Sequence, residues 1–303
     1  MEMGFGLYEV PGPPIIPGPL TLPRRHALST SFAEFHLPPA PSSAHLLAML
    51  VFIVPLQSPQ ASSDWARVSA LCERTLRSIC GQTSADFRVF LVCNQAPRLA
   101  FSHPALTIVE DDFPIPQPNT AARMFDKHEK LKRGMIAARD LAPCHVMFVD
   151  ADDLVNNRLA EFCAAHPAQP GWYIAQGYIH TAGSAWIYRW PDFDLICGTA
   201  AIVLCAEEDF PRRMSDKKSD FFMIDCGHFE FRHPARTRGR KLDPLPFPGA
   251  VYVTATGEND SGTSLRQWRG RKMFIKKLLN SRFVTPRLRA RFGITCGDLA
   301  SSV

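Results

Sequence analysis

The sequence predicts an α/β fold with a mostly parallel central sheet flanked by helices, and three observations carry that expectation. Apolar runs of four or five residues recur, bounded by short loops. Between them lie stretches whose apolar residues repeat at helical spacing. The runs themselves are continuously apolar, as strands buried on both faces must be.

The elements follow in order. Residues 1–45 are crowded with prolines, Pro11, Pro13, Pro14, Pro17 and Pro19 among them, and show no periodicity. Such a segment cannot build a core and is expected to be disordered, with Met49 an alternative start directly on the first strand. Leu50 to Val54 is a buried strand ending at Pro55. A polar cap at Ser62-Ser63-Asp64 leads into a helix whose apolar face is Trp65, Val68, Cys72, Leu76 and Ile79, stopped by Gly81. Strands are expected at Val89–Cys93, ending at Asn94, and at Leu106–Val109. A basic helix over about Asp126–Arg139 precedes a strand that runs from His145 into acids. After Asp153 come a short helix near Arg158–Ala165 and strand-like pieces around Tyr173–Gln176, Trp186–Arg189 and Ala200–Cys205. A last strand follows Pro244 and reaches Val253. In a parallel sheet, ligands bind beyond the strands' carboxyl ends, where Gln57, Asn94 and Asp150 are expected.

The chemistry concentrates at Phe148-Val149-Asp150-Ala151-Asp152-Asp153. Strand alternation would point Asp150 and Asp152 the same way. Two hard oxygen donors there suit a divalent cation, Mn²⁺ or Mg²⁺, whose other positions are filled by phosphate oxygens. A turn after any strand also collects Asp for capping, but three carboxylates at a buried strand's mouth repel one another unless a cation joins them.

Composition bounds the alternatives. The nine cysteines include no CxxC pair and read as small buried hydrophobes of a reducing compartment. The longest apolar run, near Leu46–Leu56, is shorter than the roughly 20 residues needed to span a bilayer. No export signal opens the chain, so a cytoplasmic location is expected. The net charge of +5 is uneven. No acid lies between Asp260 and Asp298, where ten Arg and Lys gather, which leaves the remaining body net negative.

From Val51 through Leu154 the order of elements resembles family-2-like glycosyltransferases of the GT-A fold. The matching features are the strand ending in Pro55, the helix with Thr75-Leu76-Arg77-Ser78 followed by Gln82-Thr83, the Lys-rich helix with Gly134, and the Asp-x-Asp box. Downstream, Gly227-His228, the run from Leu245 to Val253 and Gly257-Glu258-Asn259-Asp260-Ser261 look like the C-terminal half of a bacterial branch. The likeness covers about residues 48–262, within a stretch, residues 46–262, taken as one GT-A domain.

The resemblance implies a metal-dependent, inverting transfer of a sugar from a nucleotide-sugar donor to a glycan or lipid-linked acceptor. It implies that Pro55, Gln57 and Asn94 line the base and ribose pocket, although members often carry an acid where Asn94 stands. Lys127 or Lys130 would face the nucleotide; on sequence alone each reads first as a solvated helix charge. Asp150 would meet ribose or metal, Asp152 would ligate the cation, and His228 would complete the metal or phosphate site. The catalytic base is expected at Asp225, whose place at the end of an apolar run suggests partial burial and raised basicity. Asp220 and Asp209 are alternatives, and His228 shares the catalytic assignment.

Residues 263–303 read as a basic amphipathic tail, with a helix over Ser264–Leu279 suited to an anionic membrane surface or to covering the domain's own apolar surface. No nucleic-acid recognition motif accompanies these charges. Two other functions compete: a non-catalytic GT-A-like adaptor, and a haloacid-dehalogenase-type phosphatase. The phosphatase would want Gly-Thr after the second Asp, where Asp153-Leu154 stands.

Overall fold

The computed structural model describes residues 49–256, 280–296 and 299. The proline-rich segment, the Gly257–Ser261 motif and the helix expected over Ser264–Leu279 lie outside them.

The first half follows the expected alternation. Strand β1 (Leu50–Pro55) is buried at all six positions. Helix α1 (Trp65–Cys80) starts at Asp64, whose side chain accepts from the Arg67 amide at 3.0 Å. Its buried stripe Val68, Cys72, Leu76 and Ile79 packs on one face of the sheet, against Leu50, Phe52 and Val54. Strands β2 (Phe87–Cys93) and β3 (Leu106–Glu110) follow. Helix α2 (Thr120–Ala138) begins six residues before the expected start, because Asn119 caps the Ala122 amide at 2.9 Å. Leu131, Met135 and Ala138 of α2 cover the opposite face, against Val51 and Ile53. Gly134 lets this helix lie close: a Cβ there would collide with Ile53 Cγ2 and stand 3.1 Å from Val92 Cγ2. Strand β4 (Cys144–Phe148) pairs parallel with β1, as β2 does on the other side. The order β3-β2-β1-β4 therefore reverses direction at β1, which is where a doubly wound sheet opens its ligand crevice.

The second half adds β5 (Leu154–Val155), α3 (Leu159–Ala164), β6 (Gly171–Tyr173), β7 (Gly177–Thr181), β8 (Trp186–Trp190), β9 (Ala201–Cys205), α4 (Phe222–Asp225), β10 (Asp243–Pro244), β11 (Ala250–Thr254), β12 (Ser281–Phe283) and α5 (Pro286–Phe292). Strand β9 runs antiparallel to both β4 and β6, and the whole first sheet reads β10-β6-β9-β4-β1-β2-β3. A second sheet, β12-β8-β7-β11-β5, stands beside it. The strand expected at Tyr173–Gln176 lies earlier, because Ala175 N donates back to Tyr173 O at 3.0 Å and turns the chain away.

Part of the expected tail belongs to this domain. Strand β12 adds to the edge at β8, and Phe292 packs edge-on against Tyr178 with ring centroids 5.5 Å apart. Ser78 Oγ on α1 donates to Phe292 O at 2.8 Å. The boundary expected at 262–263 therefore does not separate residues 281–296 from the domain. Among the described residues, no helix is long and apolar enough to cross a membrane.

Candidate functional site

The acidic run is a turn rather than a strand end. Strand β4 stops at Phe148, and Asp153 N donates to Asp150 O at 3.0 Å. Strand alternation is therefore not what brings Asp150 and Asp152 together; the turn does, and both line a cavity of about 350 Å³. Asp153 turns inward and is fully buried. It accepts from Thr199 Oγ1 at 2.6 Å, Cys197 Sγ at 3.0 Å and Val253 N at 3.3 Å. Burial, then the charges of Asp152 and Asp150, push its carboxyl well above the ordinary carboxylate range. Helix α1 holds the turn from outside: Arg74 Nη2 donates to Asp152 O at 2.9 Å and Thr75 Oγ1 to Ala151 O at 3.0 Å. Just beyond, Gln82 brackets the next loop by donating to Asn156 O at 3.0 Å and accepting from Ala160 N at 2.9 Å.

Lys127, about two turns inside the start of α2, forms an ion pair with Asp150. Burial works against the ammonium, but the charge and hydrogen bond of Asp150 outweigh it and hold the Lys127 pKa above its usual value. The backbone of Gly198 lies against this pair; a Cβ there would stand 2.7 Å from Asp150 Oδ2 and 3.1 Å from Lys127 Nζ. Only glycine leaves that approach open. Asp152 is pushed up to about 6, first by burial and then by the neighbouring charge of Asp150, with Arg74 and Lys127 pulling it back.

The same face of α2 carries Thr120, Arg123 and Lys130 along the cavity wall. Lys130 is buried and paired with buried Asp126 at 2.7 Å, its ammonium 5.5 Å from the centre of the Phe113 ring. Burial pushes Asp126 up and Lys130 down, each toward its neutral form. Pro55, the last residue of β1, and Gln57 just beyond it also line this wall.

His228 enters from the opposite side, just after α4. Its Nδ1 bonds to the Asp194 carbonyl oxygen. A carbonyl only accepts, so Nδ1 carries a proton, and in the neutral tautomer this selects, the lone pair is on Nε2. Asp194 is itself fully buried and gripped by Arg232 through both guanidinium branches, one at 2.5 Å. The paired carboxylate keeps the Arg232 guanidinium firmly charged.

Two expected residues stand elsewhere. Asn94 is not on the cavity wall; its Nδ2 donates to Phe113 O at 2.6 Å. Asp225 also lies off the wall, 36% exposed between Lys218 at 3.9 Å and Arg236 at 3.7 Å. The burial that was to sharpen its basicity is not found. Of the alternatives, Asp220 is exposed, and Asp209 is buried in a structural role with Arg240 at 2.6 Å. Among the described residues, no three His, Cys, Asp or Glu side chains gather to cage a metal ion, so His228 does not join the two aspartates in a ligand set. Asp150 and Asp152 still meet the need of a Mg²⁺-type ion, which takes one or two carboxylates and completes its shell with phosphate oxygens and water.

Sequence reasoning missed Asp126, Thr199, Gly198 and the Asp194–Arg232 support of His228. The run Cys197-Gly198-Thr199 was the available signal, because small residues before a strand mark a close backbone approach. Compared with known proteins, the chain matches no family model and no curated protein.

Proposed function

We propose that this protein is a glycosyltransferase that moves a sugar from a nucleotide-sugar donor to a hydroxyl-bearing glycan or lipid-linked acceptor. The observation that carries the reading is convergence. Gln57, Lys127, Asp150, Asp152 and His228 come from four separate stretches, yet all line one cavity beyond the carboxyl ends of β1 and β4. The size of about 350 Å³ is within the range of small-molecule sites.

In this reading Asp150 and Asp152 would hold a Mn²⁺ or Mg²⁺ ion, which would supply neutralisation of the charge that grows on the departing diphosphate. Lys127 turns from Asp150 toward the same phosphate oxygens and adds a second positive charge. Transfer breaks the bond between the sugar's anomeric carbon and the phosphate oxygen, and forms a bond from that carbon to the acceptor oxygen. The acceptor's proton passes to His228 Nε2, and the nucleoside diphosphate leaves with the bonding electron pair. Attack from the face opposite the leaving group inverts the anomeric centre. Asp225, placed earlier as the base, becomes a charge partner of Lys218 and Arg236.

A second reading, donor binding without transfer, draws on the Lys127–Asp150 pair, since an internal ammonium already neutralises one carboxylate. A panel of UDP-, GDP- and dTDP-sugars, screened by thermal stabilisation with and without Mn²⁺, tests both. Transferase function predicts stabilisation by one nucleotide class and slow metal-dependent hydrolysis of that sugar, both lost in Asp152→Asn. Stabilisation without hydrolysis supports the binding protein, and no stabilisation by any donor overturns both.

A further inference from the structure

Asp126 is 8% exposed and forms part of the cavity wall. Its Oδ2 takes the Lys130 ammonium at 2.7 Å, while its Oδ1 is buried with no hydrogen-bond partner. Buried polar atoms in folded proteins are nearly always paired, so an orphan at a cavity wall marks a place where a ligand completes the bonding. The surroundings narrow what that ligand offers. A carboxylate whose Oδ2 already holds an ammonium presents Oδ1 as an acceptor, so the complementary group is a donor. Leu56, Val68, Leu71 and Pro116 give the cavity apolar walls, which suit a flat heterocycle better than a polyhydroxylated ring.

We propose that Asp126 Oδ1 selects the ligand by accepting the ring N–H of a nucleobase, with Lys130 fixing the carboxylate for that contact. This rests on the nucleotide-sugar reading and deepens it. Lys130 is then a positioning residue: it neutralises Asp126 and holds Oδ2, which leaves one oxygen for one donor. An N–H with no acceptor opposite it, or a site acceptor with no donor, would be penalised in the same way, so selection works against any base lacking the donor.

Calorimetry on the full chain with UDP and GDP against 3-methyl-UDP and 1-methyl-GDP tests this, because methylation removes the ring N–H and leaves the protein untouched. At least one parent nucleotide should bind about tenfold or more tighter than its methylated form, as expected where a site built for an N–H loses it. The double variant Asp126→Leu/Lys130→Met, which leaves no unpaired buried charge, should bind parent and methylated forms alike. Equal affinity of both pairs for the wild-type protein overturns the proposal, whether or not the double variant folds. A folded double variant that keeps the preference also overturns it. Absence of binding by any nucleoside diphosphate overturns the nucleotide reading together with this one, whereas binding blind to methylation overturns this one alone.

Discussion

The Thr199 hydroxyl donates to the buried Asp153 carboxylate at 2.6 Å and at its other side accepts the amide proton of Asp150 at 3.0 Å. One side chain thus ties the inward acid to the backbone of the outward one. Thr199→Val keeps the shape and removes both bonds, leaving a buried carboxyl short of a donor. The loss should be about 1–3 kcal/mol in urea unfolding, with Thr199→Ser recovering most of it. A valine variant as stable as the parent would mean that Cys197 and Val253 suffice for Asp153.

Lys127 competes with any cation for Asp150. In Lys127→Met that competitor is gone, so Mn²⁺ should bind the nucleotide-free protein more tightly. Nucleoside diphosphate should bind about 10-fold or more weaker, since a charge-assisted contact to phosphate is lost. Calorimetry of each ligand alone separates the effects. A fall in both affinities would make Lys127 a purely structural partner of the turn.

His128 offers a pH readout. Burial first, then the charges of Lys218 and Lys127, lower its pKa from 6.5 to about 4, with Asp225 opposing. Between these values the unfolded chain takes up a proton that the folded protein refuses, so acidification favours unfolding. The stabilisation is complete above pH 6.5 and is lost as the pH falls toward 4. Against His128→Gln, the wild-type protein should lose more stability over that window in parallel urea titrations. Superimposable curves would show that the histidine ionises freely in the fold.

Removal of the base should be selective. His228→Gln should lower kcat by about 10²-fold or more, the usual scale for general-base loss, with donor affinity kept. Asp225→Asn, off the cavity wall, should change kcat by less than about tenfold. Steady-state and single-turnover rates with the donor identified by thermal screening decide it, and the reverse ranking would return the role to Asp225.

The parallel half of the fold was legible because its signals are local. Continuous apolar runs from Leu50 and Val89, the stripe on α1 and the caps at Asp64 and Gly81 all act within a few residues. The start of α2 was misread because Thr120–Phe125 has no apolar stripe of its own; a cap at Asn119 decides it. The acids were found, but their arrangement was not, since a turn closed by Asp153 N has no periodic signature. Asp126 and Thr199 were invisible for a different reason. Their roles depend on partners 4 residues away within one helix in the first case and 46 residues away across the sheet in the second. Asp225 lacks the burial expected of it because Lys218 and Arg236, distant in sequence, hold it near the surface.

Gly134 gives α2 a fixed bearing point on the sheet, and its position along the helix has a mechanical consequence. The longer arm of α2, from Gly134 back toward Thr120, carries Asp126, Lys127 and Lys130 along the cavity wall. Such an arm is a cantilever, clamped where the helix meets Ile53 and Val92 and loaded at its free end. A small tilt about the clamp moves all three charges together, so the contacts proposed above for the base and for the phosphates would be geared to one another. Widening the clamp, as a single methyl at Gly134 would do, should detune both at once although no ligand-facing residue is substituted.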